Sequence, residues 1–191
     1  MSRSNADGSA IVTIVDRYSG KKLNSPNDAI VRSDGTIYFT DPDYGLEGRT
    51  KELSFNGVYR IDTKGVLTLV DDKMNQPNGI ALSPDEKILY VGDSGSPKTF
   101  KWTVAADGSL SGKTELAAVG SDGMAIDDAG NVYLTTGGGV RVLKPSGDAW
   151  GTIPVAETPA NVAFGGVDRK TLFIAARTSI YSVVLKVPGK P

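Results

Sequence analysis

The fold is decided by the stretch Ser25–Asp41, SPNDAIVRSDGTIYFTD, because its pattern returns three more times along the chain. Each copy has a Pro or Ser, a small polar pair, a short apolar strand, a turn rich in Asp or Gly, and a second strand. The other copies are QPNGIALSPDEKILYVGDS from Gln76, GSDGMAIDDAGNVYLTT from Gly120 and TPANVAFGGVDRKTLFIAAR from Thr158. A repeat of about 44 residues is typical of β-propeller blades.

Segments with alternating polarity follow each copy and predict the outer strands of the same unit, as in Gly57–Asp62 with Val66–Val70 and in Val140–Leu143 with Trp150–Ile153. Each unit then holds about four short strands, the content of one blade. No stretch shows helical periodicity of useful length, so the sequence predicts an all-β propeller. We expect one domain over residues 1–191, with about four blades at 26–72, 77–117, 122–156 and 160–187.

The start of the chain predicts an incomplete ring. Ala10–Val15 is apolar and reads as a lone strand at the outer edge of a preceding blade. Propellers usually close with about 4–8 blades, which leaves no long sheet edge exposed. We therefore expect the domain to be truncated at its N-terminus. An open edge at Ala10–Val15 also allows a homodimer in which two copies cover each other's edges.

Composition restricts the chemistry. The chain has no His and no Cys, and its formal net charge is −1. Thiolate metal sites, disulfides and a Ser-His-Asp triad are excluded, and a bound metal is expected to have oxygen ligands. The chain has no run of basic residues that would predict binding to nucleic acid or to an anionic membrane. We find no signal peptide and no apolar stretch of transmembrane length, so we expect a cytoplasmic protein.

The polar pair before each inner strand supplies the candidate site. Its first members are Asn27, Asn78, Asp122 and, in the last copy, Ala160. Equivalent positions of propeller blades meet at one end of the central channel, so these side chains should converge there. Two amide oxygens and a carboxylate form a partial shell for a hard cation. The alternative is turn chemistry, in which Asn and Asp bond their own backbone.

Several motifs occurring in order make the chain resemble the senescence-marker-protein/gluconolactonase family, which includes regucalcin. They are Leu23–Asp28, Tyr38–Gly45, Gln76–Gly79, Ser121–Met124, Glu157–Asn161 and Phe164–Gly166. The resemblance runs from about Val15 to Leu185. It implies a six-bladed propeller with one divalent cation at the channel mouth, and hydrolysis of sugar lactones or related cyclic esters.

The resemblance also implies roles for single residues. Asn78 matches a metal-binding Asn, and Asp122 matches a metal-binding Asp that is also the favoured general base. Asn27 matches an Asn that contacts substrate and ligates the metal in some relatives. Asp28 and Tyr44 are expected beside the substrate. Ca²⁺ is the expected ion, with Mg²⁺, Mn²⁺ and Zn²⁺ as alternatives, and the expected partner is a small-molecule lactone.

Two departures from the family pattern leave a second reading open. The family's remaining metal ligand is a Glu in an early blade, and no Glu of this chain stands at a blade opening. Ser25 replaces an Arg that regucalcin has near its substrate. The chain is therefore expected to be a lactonase-type hydrolase or, alternatively, a non-catalytic propeller that serves as a binding module. Asp41 and Asp93, which end second strands, are interpreted as turn-forming, with a role in the pocket as the alternative.

Overall fold

The N-terminal segment forms two short ribbons. In a computed structural model that describes residues 1–190, β1 (Ser2–Arg3) pairs with β2 (Val12–Thr13), and β3 (Arg17–Tyr18) pairs with β4 (Lys21–Lys22). The lone strand predicted over Ala10–Val15 is wrong in extent, since only its middle is extended and pairs with the start of the chain. A turn at Asn5–Gly8 reverses the chain and makes this pairing possible.

Four antiparallel sheets follow, and each is one blade. Blade 1 consists of β5 (Ala29–Val31), β6 (Ile37–Asp41), β7 (Gly57–Ile61) and β8 (Leu67–Asp71). Blade 2 consists of β9 (Pro77–Leu82), β10 (Ile88–Asp93), β11 (Lys98–Val104) and β12 (Leu110–Ala117). Blade 3 consists of β13 (Met124–Ile126), β14 (Val132–Thr136), β15 (Gly139–Leu143) and β16 (Ala149–Ile153). Blade 4 has three strands, β17 (Pro159–Gly165), β18 (Thr171–Ala176) and β19 (Ile180–Val184). The predicted all-β propeller with four blades is confirmed.

The repeat places one aromatic side chain per blade on the face toward the next blade. In register it stands opposite an apolar residue of the innermost strand, in the pairs Ile30–Tyr38, Ala81–Tyr90, Ala125–Tyr133 and Ala163–Phe173. The period of two along a strand points these pairs to one face of the sheet. The three tyrosines are buried in the seam with the following blade.

Each seam between consecutive blades is an apolar core. Tyr38 and Val58 of blade 1 pack with Ile80, Leu82 and Trp102 of blade 2. The seams of blades 2 and 3 and of blades 3 and 4 repeat this arrangement around Tyr90 and Tyr133. Burying one such side chain contributes about 1.5–3 kcal/mol, and the seams therefore hold the blades in a common orientation around the channel.

The two outer faces of the four-blade array differ. The face of blade 1 that points away from blade 2 carries Phe39 and Tyr59, and the N-terminal segment covers both through Tyr18 and Leu23. The face of blade 4 that points away from blade 3 is bare. Its exposed apolar side chains are Phe173 (43% exposed), Ile180 (77%) and Val184 (74%).

Turns take up the remaining backbone. None of residues 1–190 is helical, and this part of the chain thus offers no long apolar helix that could cross a membrane.

Candidate active site

Asn27, Asn78 and Asp122 open blades 1 to 3 and lie at the same end of the channel. Backbone hydrogen bonds hold each of them beside the second strand of its own blade. Asn27 N donates to Thr40 O at 2.9 Å, and Thr40 N donates to Asp28 O at 3.0 Å. Blade 3 repeats this pattern with Asp122 and Thr135. The position of each opening residue is therefore set by the sheet of its own blade.

The side chains of these three residues form a hydrogen-bonded row across the blades. Asn27 Nδ2 donates to Asn78 Oδ1, and Asn78 Nδ2 donates to Asp122 Oδ1 at 3.0 Å. Asn78, in the middle, is 5% exposed, whereas the two outer members are open to solvent. The row brings together residues that lie about one blade apart in sequence, as the repeat predicts.

Hydroxyl groups beneath the row join blade 1 to blade 2 and blade 3 to blade 4. Thr40 Oγ1 donates to Asn78 O at 2.9 Å, and Thr135 Oγ1 donates to Ala160 O at 3.2 Å. Both threonines are buried. A threonine hydroxyl of one blade therefore holds the opening residue of the next blade at the channel mouth.

Asp41 and Asp93 hold the segments that carry the row, which agrees with their interpretation as turn-forming residues. Asp41 accepts the backbone N–H groups of Asn24 and Ser25, both at 2.8 Å. Asp93 accepts those of Asn75 at 2.8 Å and Gln76 at 2.9 Å, and also two N–H groups of its own turn. Burial raises the pKa of Asp41 to about 6, against the lowering effect of the two N–H groups.

The charge of the row rests on Asp122. Burial raises the pKa of this carboxyl, while the hydrogen bond from Asn78 and the charge of Arg177 act in the opposite direction. Its second oxygen, Oδ2, accepts no hydrogen bond within residues 1–190. The site thus holds a carboxylate with one oxygen fixed by Asn78 and the other directed to no protein donor.

Of the two residues expected beside the substrate, only Tyr44 meets the row. Its side chain is 50% exposed, and its Oη lies 3.4 Å from Asn78 Nδ2 and in contact with Ser94 Oγ. Asp28 instead faces the backbone, accepting Ile80 N at 3.1 Å and Ala29 N at 2.9 Å. Burial raises the pKa of Asp28, and the charge of Asp122 acts in the same direction.

The fourth blade brings no oxygen donor to the row. Ala160 has no polar side-chain atom, and Asn161 Oδ1 accepts the N–H of Val162 at 2.8 Å. Asn161 also packs closely on the seam, since a Cβ built on Gly123 would stand 2.2 Å from its Oδ1. A glycine after Asp122 is therefore required for blades 3 and 4 to meet.

A cavity of about 360 Å³ opens beside Asp122. It lies between the loops at the ends of blades 2, 3 and 4, on the side of Asp122 away from Asn27, and its polar lining includes Ser94, Ser121, Thr136 and Thr158. A small cyclic ester fits a cavity of this volume.

Three residues of this region were not predicted from the sequence as parts of the site. Ser94 contacts Tyr44, Ser25 Oγ accepts the N–H of Gly45 at 3.0 Å, and Arg177 is the cation that acts on Asp122. In the sequence, Ser25 is notable only as a departure from the family pattern. Ser94 follows an Asp that ends a strand, but nothing in the local sequence points it toward Tyr44.

The oxygens of the row suit a divalent cation in type. Asn27 Oδ1 and Asp122 Oδ2 accept no hydrogen bond within residues 1–190. Asn78 Oδ1 accepts a hydrogen bond from Asn27 Nδ2. Amide and carboxylate oxygens are the ligands that Ca²⁺ and Mg²⁺ take in proteins. The described residues contain no cluster of three or more acidic, His or Cys side chains that could hold an ion, so such a site depends on the amides.

Comparison with known proteins identifies the family and agrees with the propeller fold. A model of the SMP-30/Gluconolactonase/LRE-like region matches residues 2–178. The gluconolactonase of Zymomonas mobilis is 37% identical over 92% of this chain and 54% of its own length. A gluconolactonase structure from Xanthomonas campestris has a TM-score of 0.86 at 36% identity, over 98% of this chain and 64% of its own. The calcium-binding protein regucalcin of Agrobacterium tumefaciens, at 19% identity, shares the fold with a TM-score of 0.70, over 86% of this chain and 62% of its own. The chain thus spans about half to two thirds of the length of these relatives.

Proposed function

The chain belongs to the SMP-30/gluconolactonase/LRE-like family, and we propose that its function is the hydrolysis of a sugar lactone at the mouth of the channel. The observation that carries the proposal is the row Asn27, Asn78 and Asp122, in which one carboxylate lies between an amide donor and an open cavity. The names of the relatives from Zymomonas and Xanthomonas support the same reaction class.

Asp122 is proposed as the general base. Its Oδ1 is held by Asn78 Nδ2, which leaves Oδ2 to accept a proton from water in the adjacent cavity. Partial burial raises the pKa of this carboxyl when no cation is present, whereas a cation held by the row would lower it. The water then attacks the lactone carbonyl carbon, the ring C–O bond breaks, and the leaving oxygen takes the proton that Asp122 accepted, so that the hydroxy acid forms and the carboxylate is regenerated.

Two residues that contact Asn78 are proposed to orient the substrate. Asn27 lies at the exposed end of the row, and Tyr44 stands above Asn78 with its ring half exposed. Amide and phenol groups donate and accept hydrogen bonds, as recognition of sugar hydroxyls requires. Asp28 is proposed to support this wall through the backbone of blade 2.

We further propose that Asn27, Asn78 and Asp122 hold one divalent cation, with Ca²⁺ as the first candidate and Mg²⁺, Mn²⁺ and Zn²⁺ as alternatives. The oxygen donor set supports the assignment, as does the description of regucalcin as a calcium-binding protein. When bound, such an ion polarises an ester carbonyl and stabilises charge on its oxygen.

A pH-stat assay with glucono-1,5-lactone tests the function, with each of the four cations added in turn. Asp122→Asn keeps the shape of the side chain but removes the base, and we expect kcat to fall by about 10²–10⁴-fold. Asp128→Asn, at the other end of blade 3, is the matched control and should leave the rate unchanged. Equal rates for wild type and Asp122→Asn, after correction for spontaneous hydrolysis, would contradict the proposal.

The second candidate function is a propeller that binds a small molecule or cation without turning it over. It is favoured by the single carboxylate in the row, since Asn27 and Asn78 carry no charge and blade 4 adds Ala160. Titration calorimetry with Ca²⁺, combined with the lactone assay, separates the two functions. Binding that Asp122→Asn abolishes, without hydrolysis in the wild type, would favour the binding module.

A further inference from the structure

The loop between β6 and β7 is held on both sides of Tyr44, on one side by the start of blade 2 and on the other by the segment that leads into blade 1. On one side, Asp43 accepts Gln76 Nε2 at 2.8 Å and Lys51 Nζ at 3.0 Å. On the other, Gly45 N donates to Ser25 Oγ at 3.0 Å. A Cβ built on Gly45 would stand 2.5 Å from that hydroxyl, so the loop approaches Ser25 closely. The backbone of Tyr44 is therefore fixed although its side chain is half exposed.

The ring of Tyr44 belongs to none of the apolar cores, and its contacts are polar. Its hydroxyl meets Ser94 Oγ on one side and Asn78 Nδ2 on the other. Packing alone does not explain an aromatic side chain in this setting. The phenol oxygen is the only atom of Tyr44 that links the loop to the row of Asn27, Asn78 and Asp122 among the described side-chain hydrogen bonds.

Donor and acceptor chemistry gives this chain of bonds one direction. Ser94 Oγ lies 3.3 Å from Gln76 O, which can only accept, so the serine proton goes to that carbonyl. Ser94 Oγ then accepts the proton of Tyr44 Oη, and Tyr44 Oη accepts from Asn78 Nδ2. The second Nδ2 proton of Asn78 goes to Asp122 Oδ1. Each donor in the series has one acceptor.

We propose that Ser94 is a positioning residue for the catalytic row and acts through Tyr44 on the amide of Asn78. By turning the phenol lone pair toward Asn78, it holds the amide nitrogen toward Tyr44 and Asp122. The amide oxygen then faces along the row toward Asn27. An unconstrained Asn side chain exchanges the places of its oxygen and nitrogen by rotation, which would remove the donor from Asp122. The relevance to catalysis rests on the proposed lactonase function, whereas the orientation of the amide does not.

The side-chain amide of Asn78 provides a readout without activity. In ¹H–¹⁵N spectra of the whole chain, this signal is assigned by its loss in Asn78→Ala. Ser94→Ala and Tyr44→Phe should shift it and speed exchange of its protons about three- to tenfold, the range for the loss of one hydrogen bond. Ser94→Thr, which keeps the hydroxyl, should restore the wild-type signal. Ser96→Ala, two residues away with a hydroxyl that makes no hydrogen bond within residues 1–190, is the matched control.

An unchanged Asn78 signal in folded Ser94→Ala and Tyr44→Phe would overturn the proposal, with folding checked by the thermal midpoint. If Ser94→Ala does not fold, Ser94→Cys, which replaces the hydroxyl by a weaker S–H group, decides in its place, since Tyr44→Phe tests only the link from Tyr44 to Asn78. In the lactone assay, kcat should fall about three- to tenfold in Ser94→Ala with KM little changed, and return in Ser94→Thr, whereas Tyr44→Phe should also raise KM because Tyr44 is proposed to orient the substrate. A wild-type protein that hydrolyses no lactone would contradict the proposed function, while the Asn78 spectrum would still decide the role of Ser94.

Discussion

Blades 1 and 4 are built from the same repeat but end in different surroundings. Tyr38 of blade 1 and Phe173 of blade 4 occupy equivalent strand positions, yet the first is fully buried and the second is 43% exposed. At the channel mouth, blade 1 provides Asn27 and blade 4 provides Ala160. The repeat therefore specifies the strands of a blade. Whether the apolar face of that blade becomes a core depends on the presence of a neighbouring blade.

The same two blades differ in how their openings are held. Asp41 ends β6 and accepts two backbone N–H groups from the segment that leads to Asn27. In blade 4 the corresponding strand end is Ala176, which has no acceptor, and Glu157 instead binds the β18–β19 turn through Thr178. A buried carboxylate therefore ends the second strand of blades 1 and 2, beside Asn27 and Asn78, whereas this strand ends at Thr136 in blade 3, which carries Asp122.

The largest expected effect is the difference in stability between variants of Tyr38 and of Phe173. Tyr38→Ala should lower the free energy of unfolding by about 3–5 kcal/mol, because it opens a cavity in the seam of blades 1 and 2 and removes the hydrogen bond to Gly108 O at 2.7 Å. Phe173→Ala should cost about 1 kcal/mol or less, because no blade covers that face. Urea unfolding of both variants measures the difference. Equal losses would contradict the view that coverage, and not the residue type, makes the core.

The buried carboxylate predicts a dependence of stability on pH. Because the pKa of Asp41 is raised to about 6 from 3.8, the folded state holds a proton that the unfolded chain releases. Its contribution to stability is therefore complete below about pH 4 and is lost as the pH rises through about 6.

Asp41→Asn removes this titration. Between pH 4 and pH 7 the stability of the wild type should fall relative to that of the variant by about 2–3 kcal/mol, the free energy of a two-unit pKa difference. Urea unfolding at a series of pH values measures it, with Asp128→Asn as the exposed control. A difference between wild type and Asp41→Asn that stays constant with pH would contradict the assignment.

The smallest expected effect concerns association of two copies, which stays a prediction. A homodimer was first expected at the edge of Ala10–Val15, but this segment pairs with the start of the chain. The bare face of blade 4 exposes Phe173, Ile180 and Val184, and in blades 1 to 3 the equivalent face is covered by the following blade. We therefore expect a second copy to bind there.

Light scattering over a range of concentrations tests this association. Phe173→Ser should raise the dissociation constant of the dimer about fivefold to tenfold, because each copy loses part of an exposed aromatic side chain. Val12→Lys, placed in the N-terminal ribbon, is the matched control. A monomeric mass for the wild type at all concentrations would exclude the dimer, and an effect of Val12→Lys alone would favour the ribbon edge.

The sequence alone was sufficient to predict the blade and the three residues of the row. Strand alternation and turn residues recur along the chain, and these are local properties that a single repeat displays. Asn27, Asn78 and Asp122 could be predicted as neighbours because symmetry of the repeat converts equal positions into spatial proximity. Their proposed roles in metal binding and catalysis stay predictions.

The side chains outside the repeat that contact this row could be identified only from the tertiary structure. Tyr44 and Ser94 lie on loops of different blades, and their contact depends on how a loop from blade 1 folds over blade 2. The sequence places Asp28 directly after Asn27, but successive side chains of an extended chain point to opposite sides, and the carboxylate of Asp28 accepts the N–H of Ile80. A repeat determines what is periodic, whereas contacts between non-equivalent loops depend on distances that only the packed blades provide.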